Sequence, residues 1–261
     1  NLSLVAENLF LNENFDKSKE VLKNFDKHQD FYYWYRLKKE AQIITETKSR
    51  EDALNYILSK FKKFENPNNK FIFDIANFYK NSKKYEDAIK YYSILINKFE
   101  NDSDLKADLL YRRGGSYERI KDFKNADKDL QKSLSINPND AYVLNYLAYS
   151  WLERDYKIDE AIQMLEKAYK QESNDPYIID SIGWAYYLID DYTKAEEYLV
   201  RAVQLMPDDP IVNDHYGDIL WKLDRKIQAR YFWSMVLKMD DVEKDLINQI
   251  KNKLLDGLKN S

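Results

Sequence analysis

The sequence predicts an all-α protein, a right-handed α-solenoid of about seven helical hairpins followed by one C-terminal capping helix. Three observations lead to this prediction. The 261 residues include only five Gly and five Pro, too few turn-forming residues for many short strands. Small residues recur at spacings of 34 to 38 residues, and the final segment has the period of one amphipathic helix.

The clearest repeat unit runs from Pro176 to Asp209. Gly183 and Ala195 are small enough for two antiparallel helices to approach each other closely. We expect Tyr186 and Leu199 to fill the space between those helices. The unit therefore predicts one helix, a turn and a second helix.

The same two small positions recur along the whole chain. The first is occupied by Ala6, Ala41, Ala76, Gly114, Ala148, Gly183 and Gly217, at intervals of 35, 35, 38, 34, 35 and 34 residues. The second is occupied by Ser18, Ala53, Ala88, Ala126, Ala161, Ala195 and Ala229. Six of the seven pairs lie 12 residues apart; the fifth lies 13 apart, because the loop from Arg154 to Asp159 has one extra residue.

This register divides the chain into predicted repeats and a cap. The repeats cover about residues 1–33, 34–68, 69–106, 107–140, 141–175, 176–209 and 210–240. In residues 241–261, apolar side chains recur four apart, at Val242, Leu246, Ile250, Leu254 and Leu258. We interpret this segment as a capping helix, since the last hairpin of a repeat array would otherwise expose an apolar side.

The spacing and the residue pattern resemble those of the tetratricopeptide repeat (TPR) family, whose unit is 34 residues of helix, turn and helix. The resemblance covers nearly the whole chain. The repeats that contain Gly114, Ala148 and Gly183 match the pattern well, whereas the first two keep only the small residues and the hydrophobic spacing.

Residues 180–239 carry a more specific resemblance. The segments DSIGWAYYLIDDYTKAEEYLVRAVQLMPDDP and NDHYGDILWKLDRKIQARYFWSMVLKM resemble the C-terminal repeats of exported TPR proteins of alphaproteobacteria and related Gram-negative bacteria, often outer-membrane lipoproteins. The resemblance implies a bacterial envelope adaptor, in the periplasm or anchored to the outer membrane, with an envelope protease or an assembly complex as partner. Because the chain starts at Asn1 without Met, we expect it to be part of a longer protein.

Charge is distributed unevenly along the chain. The whole chain has a formal net charge of −4, which argues against a protein that binds nucleic acid through a basic stripe. Residues 140–241 contain 20 acidic and 11 basic residues, and residues 1–139 contain 22 acidic and 26 basic ones. Cys is absent, which leaves the compartment open between cytoplasm and periplasm. We expect no membrane insertion by this stretch of chain, since no long apolar run is present.

The resemblance implies that the first helix of each hairpin lines a concave face, and helical periodicity places the corresponding positions on one side of that helix. In the last three repeats these positions form what we call the predicted groove. Its residues are Tyr142, Asn145, Tyr146, Tyr149 and Leu152; Tyr177, Asp180, Ser181, Trp184 and Tyr187; and Ile211, Asp214, His215, Asp218 and Trp221.

The predicted groove is aromatic and acidic. Tyr and Trp side chains can bury the apolar groups of a peptide or helix, and we expect Asn145 and Ser181 to address backbone groups. We expect Asp180, Asp214 and Asp218 to attract Lys or Arg. The alternative is that the aromatic residues pack hairpin against hairpin.

The sequence offers little support for two other functions, capture of a chaperone C-terminus and catalysis. Family members that capture a chaperone C-terminus use paired Lys and Asn side chains, but Lys38 is paired here with Gln42, and Asn77 with Phe73, so we do not expect that activity. Catalysis or metal binding would depend on His215 beside Asp214 and Asp218, because the other histidine, His28, lies in a polar connection. One His makes no catalytic set, so we expect neither an enzyme, nor a metal site, nor a cofactor.

The leading hypothesis is a scaffold or adaptor that binds a protein or peptide in the concave groove. The alternative is an assembly protein that acts through self-association or by bridging subunits.

Overall fold

The computed structural model describes residues 2–25, 30–100, 103–240 and 242–258. Within these residues the chain forms fifteen α-helices and no strand, which confirms the all-α prediction. Contacts divide the chain into two compact units, Asn1–Asp129 and Leu130–Ser261. The predicted repeat boundaries stay a prediction.

The first unit contains seven helices and the start of an eighth. They are α1 (Leu2–Leu11), α2 (Phe15–Leu22), α3 (Asp30–Thr47), α4 (Arg50–Phe61), α5 (Asn69–Asn81), α6 (Tyr85–Lys98), α7 (Ser103–Arg119) and α8 (Phe123–Ile136), which continues into the second unit. From α1 to α7, each helix packs against the next. The core of α3 to α5 includes Trp34, which stacks on Phe71 with ring centroids 4.7 Å apart.

The second unit contains the end of α8 and seven further helices. They are α9 (Ala141–Leu152), α10 (Ile158–Gln171), α11 (Pro176–Leu188), α12 (Tyr192–Leu205), α13 (Pro210–Lys222), α14 (Lys226–Val236) and α15 (Lys244–Asp256). Each of α9 to α15 packs against the next, and α11 also packs against both α9 and α13. The helix predicted at the C-terminus is therefore present as α15, which buries Leu246 and Ile250.

All fourteen small positions of the predicted register are buried. Gly183 shows why small residues are required, since a Cβ atom there would lie 2.7 Å from Leu199 Cγ. At Gly217 a Cβ atom would lie 2.4 Å from Trp233 Nε1. Leu199 is fully buried, and Tyr186 is also buried, as expected. The period found in the sequence is thus the period of helix contact.

The turn inside each hairpin explains the extra residue of the fifth one. In six hairpins, the residue seven positions after the first small residue has a left-handed backbone conformation, with a positive φ. These residues are Glu13, Lys83, Lys121, Asp155, Asp190 and Asp224. The fifth hairpin has a second left-handed residue, Lys157, which immediately precedes α10. The additional loop residue is thus accommodated by one further left-handed position.

Candidate functional site

The helices α9, α11 and α13 carry the predicted groove. Each begins after an aspartate whose side chain accepts hydrogen bonds from the backbone N–H groups of the second and third residues of the helix, and these caps are Asp140, Asp175 and Asp209. Such caps satisfy N–H groups that have no partner within the helix. Because all three helices begin with the same cap, residues at the same number of positions after the cap are structurally equivalent.

The second residue of each of these helices is large and exposed. Tyr142 is 52% exposed, Tyr177 58% and Ile211 39%. We call these three residues the exposed row. Since α11 packs against both α9 and α13, the exposed row presents equivalent apolar groups on neighbouring helices. Exposed apolar side chains that cluster on a surface are typical of interaction sites.

A buried ion pair lies at the centre of the predicted groove. His215 Nδ1 lies 3.0 and 2.9 Å from the two carboxylate oxygens of Asp180, and both residues are buried. Burial lowers the pKa of His215, but the charge of Asp180 and its hydrogen bond outweigh burial and raise that pKa above its ordinary value. Asp180 therefore pairs with His215 of the neighbouring helix.

The aromatic side chains of the groove pack largely on one another. The ring of Trp184 stacks on His215 with centroids 4.1 Å apart, and on Tyr187 with centroids 4.6 Å apart. Tyr149 lies 6.4 Å from His215, centroid to centroid. Burial raises the pKa of Tyr149 and of Tyr187, so both stay neutral phenols. Hairpin packing therefore accounts for part of the predicted binding surface.

Lys253 of α15 binds the other two acidic residues of the predicted groove, Asp214 and Asp218. Its Nζ donates to Asp214 Oδ1 at 2.6 Å and to both carboxylate oxygens of Asp218 at 2.8 Å. Trp233 Nε1 also donates to Asp218, at 3.0 Å. Burial and the charge of Asp214 raise the pKa of Asp218 to about 6, although Lys253 opposes the shift. The carboxylates expected to attract a partner's Lys or Arg are thus bound to a cation of the same chain.

Sequence reasoning did not include Lys253 in the groove. A signal was present, because Lys253 lies 35 residues after Asp218, which is one repeat interval. The apolar spacing of residues 241–261 predicts only a capping role, since the segment has no second hairpin. Extending the register by one further helix would have predicted the contact.

The two polar residues expected to address a partner's backbone differ in their surroundings. Ser181 Oγ donates to the carbonyl oxygen of Tyr177 at 2.8 Å, so its proton is used within α11. Asn145 Oδ1 is buried and has no hydrogen-bond partner among the described residues. Of the two, Asn145 keeps an unmet acceptor.

Trp221, at the end of α13, is half-buried by neighbouring elements. Its ring lies 5.4 Å from that of Trp233, and the guanidinium of Arg230 lies 4.7 Å from its centroid. Gly257, just after α15, approaches so closely that a Cβ atom there would lie 2.0 Å from Trp221 Cζ2. Trp221 therefore anchors the C-terminal helix as well as bordering the groove.

In the first unit, the side chains considered for carboxylate capture have partners. Lys38 Nζ donates to Asp74 at 3.3 Å, and Asn77 Oδ1 accepts from the hydroxyl of Tyr92 at 2.7 Å.

Among the described residues, no group of three or more His, Cys, Asp and Glu side chains is placed to hold a metal ion. His28 lies outside those residues. None of the described helices combines the length and apolar character that crossing a membrane requires.

Paired helices in a regular register, with an exposed row on successive first helices, define a helical-repeat protein. The chain belongs to the tetratricopeptide repeat family, whose model matches residues 12–242. Members of this family generally mediate protein–protein interactions and scaffolding, and are typically not enzymes.

Similarity to individual proteins is more limited. The chain is 36% identical over 110 residues to TPR repeat-containing protein PA4667 of Pseudomonas aeruginosa, a match that covers 42% of this chain and 18% of that protein. It is 23% identical over 109 residues to Anaphase-promoting complex subunit 3 of Schizosaccharomyces pombe, which covers 42% of this chain and 15% of the subunit. The chain thus spans less than a fifth of the length of these relatives.

The fold is matched over nearly its full length by a solved structure. A tetratricopeptide repeat protein from Parabacteroides merdae has a TM-score of 0.74 and 16% sequence identity, and the match covers 98% of each chain. At this identity the likeness concerns the fold alone.

Proposed function

We propose that this chain is an adaptor that binds a protein partner at the predicted groove of the second unit. The observation that carries the proposal is the exposed row, which three identical aspartate caps place at equivalent positions on neighbouring helices. The general role of the family in protein–protein interaction supports it.

The contacts of the groove favour an apolar partner segment. Asp180 is paired with His215, and Lys253 is bonded to both Asp214 and Asp218, so a basic side chain of a partner would have to displace Lys253. Binding to the exposed row does not require the partner to displace Lys253. Apolar and aromatic side chains of the partner therefore supply most of the binding free energy.

A triple substitution of the exposed row, Tyr142→Ser, Tyr177→Ser and Ile211→Ser, tests this proposal. These side chains are exposed, so their loss leaves the core intact. The matched control is Ile94→Ser on α6 with Leu205→Ser on α12, where the two side chains are 43% and 49% exposed.

The experiment is a pulldown from the native lysate with the full-length protein, followed by affinity measurement on the recovered partner. Removing buried interface aromatics costs about 1 kcal/mol or more each, so we expect the triple variant to bind at least about tenfold more weakly. Equal retention by the triple variant and the control would exclude the exposed row as the contact.

Self-association is the second candidate, and the exposed side chains of Ile227 and Tyr231, one turn apart on α14, favour it. Light scattering over a range of concentrations distinguishes the two candidates. A mass that rises with concentration, and that returns to the monomer value in a variant with Ile227→Ser and Tyr231→Ser, would support assembly through this surface.

The place of action that we propose is the bacterial cell envelope, in the periplasm or at the outer membrane, with an envelope protease or an assembly complex as partner. This part rests on the resemblance of residues 180–239 to exported proteins. Fractionation of cells that express the full-length protein tests it, and recovery only in the cytoplasm would refute it.

A further inference from the structure

The second helix of every hairpin exposes two positions, which lie two residues before and two residues after its buried small residue. In each of the first six hairpins, both positions hold polar side chains. The examples nearest to the C-terminus are Asp159 and Gln163 of α10, and Thr193 and Glu197 of α12. The seventh hairpin is different and exposes two large apolar side chains there.

These two apolar side chains are Ile227 and Tyr231 of α14, which are 88% and 58% exposed. They do not belong to the core, because α14 packs inward through Ala229, Trp233 and Val236, all of which are fully buried. In the single chain, Ile227 therefore gains almost nothing from the hydrophobic effect. Apolar groups exposed in this way indicate a surface that a partner covers.

Helical periodicity extends this surface along α14. Ser234 lies three residues after Tyr231 and Met235 lies four, so both are on the same side of the helix as Tyr231 and Ile227. We call these four residues the α14 face. None of them is charged, so the face suits a partner helix of the same uncharged character.

One acid and one base stand at opposite ends of the α14 face. Asp224 lies seven residues before Tyr231, in the turn that precedes α14, and Lys238 lies seven residues after it, in the turn that follows. Both residues are exposed. Asp224 is paired with Lys226 at 2.9 Å, but an exposed pair of this kind contributes little to stability and leaves the carboxylate accessible to another cation.

We propose that the α14 face binds the α14 face of a second copy of this chain, with the two helices antiparallel about a two-fold axis near Tyr231. In this dimer the two Tyr231 side chains pack together, and Ile227 packs against Met235 of the second copy. Asp224 of each copy then lies beside Lys238 of the other. This proposal develops the self-association considered above and does not depend on the exposed row.

Charge complementarity is the reason for the antiparallel arrangement. In a parallel pair, Asp224 would lie beside Asp224 of the second copy, and Lys238 beside Lys238. Both contacts would be repulsive, whereas the antiparallel pair makes two attractive ones. A two-fold interface of this kind is closed, so association stops at the dimer.

The dimer should be reversible. The helix α14 has eleven residues and is therefore about 16 Å long, so the pair of faces buries less surface than permanent dimers do. The test is sedimentation equilibrium of the full chain from micromolar to millimolar concentration. We expect the mass to rise from that of the monomer to that of the dimer, and no further.

Removing the apolar side chains should abolish the dimer. The variant with Ile227→Ser and Tyr231→Ser loses four interface side chains per dimer, so we expect association at least about a hundredfold weaker. Its melting temperature should not fall, because both side chains are exposed. The matched control, Ile94→Ser with Leu205→Ser, removes apolar side chains that are exposed elsewhere and should dimerise normally.

Charge reversal tests the antiparallel arrangement. Lys238→Glu alone and Asp224→Lys alone each convert two attractive contacts into repulsive ones, so each should weaken the dimer about tenfold. The double variant exchanges the two charges and should regain the affinity of the unchanged chain. Lys170→Glu is the control, since Lys170 is exposed and lies nine residues after the small residue of α10, as Lys238 does in α14.

The substitution Asp224→Lys is compatible with the backbone of its turn. Asp224 has a φ of 61°, and the equivalent turn positions of two other hairpins, Lys83 and Lys121, hold lysine at φ values of 58° and 62°. A weaker dimer in this variant therefore reports the charge and not a distorted turn.

Several results would overturn the proposal. They are a monomer at every concentration, a mass above that of the dimer, normal association of the variant with Ile227→Ser and Tyr231→Ser, or a double charge variant that stays as weak as the single ones. The triple variant of the exposed row should dimerise normally. Loss of the dimer and loss of partner binding are thus separate outcomes, each of which concerns one surface.

Discussion

Burial lowers the pKa of His215, but the neighbouring carboxylates, above all Asp180, outweigh burial and raise that pKa. Asp180 is its hydrogen-bond partner, and the stacked ring of Trp184 covers the imidazole. The other charged and titratable groups around it are Asp214 and Asp218 from α13, Lys253 from α15 and Tyr149 from α9. Among these groups, Asp180 contributes most to the raised pKa of His215.

Asp180→Asn should reverse the direction of this pKa shift. Without the carboxylate charge, burial dominates, and we expect the pKa of His215 to fall below its ordinary value of about 6.5. NMR titration of the imidazole resonances measures it, with a His28→Gln variant for assignment, since the chain has only two histidines. An unchanged or higher pKa would contradict this account.

The same pair makes stability depend on pH. The pKa of His215 is raised on folding, so its stabilisation is complete below about pH 6.5 and is lost as the pH rises through the folded-state value. The raised pKa of Asp218 acts in the same direction, because the folded state again binds more protons than the unfolded chain. We expect the free energy of unfolding, measured with urea, to decrease from pH 6 to pH 8. In the His215→Gln variant this decrease should be smaller.

The left-handed turn residues are a second feature at this scale. Lys121 has a φ of 62°, a conformation that costs a non-glycine residue about 1–2 kcal/mol. A Gly at this position removes that strain, but it also gives the unfolded chain more conformational entropy, which offsets part of the stabilisation. We therefore expect Lys121→Gly to stabilise the fold by about 0.5–1 kcal/mol. Lys132→Gly, inside α8, should instead destabilise it by about 1 kcal/mol; equal effects in thermal unfolding would be evidence against a strained turn.

At the scale of elements, close approach between paired helices decides which residues are allowed. In the α11–α12 hairpin, Gly183 leaves space that Leu199 fills. The sequence predicted this contact from spacing alone, because the helical period puts the two positions on facing sides. Spacing could not predict how close this approach is. A Cβ atom at Gly183 would lie 2.7 Å from Leu199 Cγ, which is too close for a methyl group unless Leu199 moves.

A double-mutant cycle tests that contact. We expect Gly183→Ala to cost about 1–3 kcal/mol through overpacking, and Leu199→Ala about 2–5 kcal/mol through the cavity it leaves. In the double variant the new methyl group occupies part of that cavity, so the total loss should be smaller than the sum. Chemical denaturation measures all four proteins, and simple additivity would show that the two residues do not compete for space.

At the scale of the whole molecule, stability in a repeat array depends mainly on nearest neighbours. Lys253 connects α15 to the two carboxylates of α13. Its removal should therefore act locally, on the C-terminal helices, and leave distant hairpins unaffected.

Lys253→Met leaves two buried carboxylates without their cation, which we expect to destabilise the second unit by about 3–5 kcal/mol. Lys251→Met, at an exposed position of the same helix, is the control. Hydrogen exchange followed by mass spectrometry should show faster exchange in α13 to α15 and unchanged exchange in α3 to α6. Uniform acceleration along the chain would contradict local coupling.

The sequence by itself determined the helical class, the repeat register and the positions of the small contact residues, because these depend on a periodicity that every hairpin repeats. The pairing of Asp180 with His215 and the capture of Asp214 and Asp218 by Lys253 were decided only by the tertiary structure. The physical reason is that these hydrogen bonds and ion pairs depend on the rotamers and the burial of side chains from different helices. Spacing brings such residues near one another, and packing then decides which polar groups pair and which remain unmet.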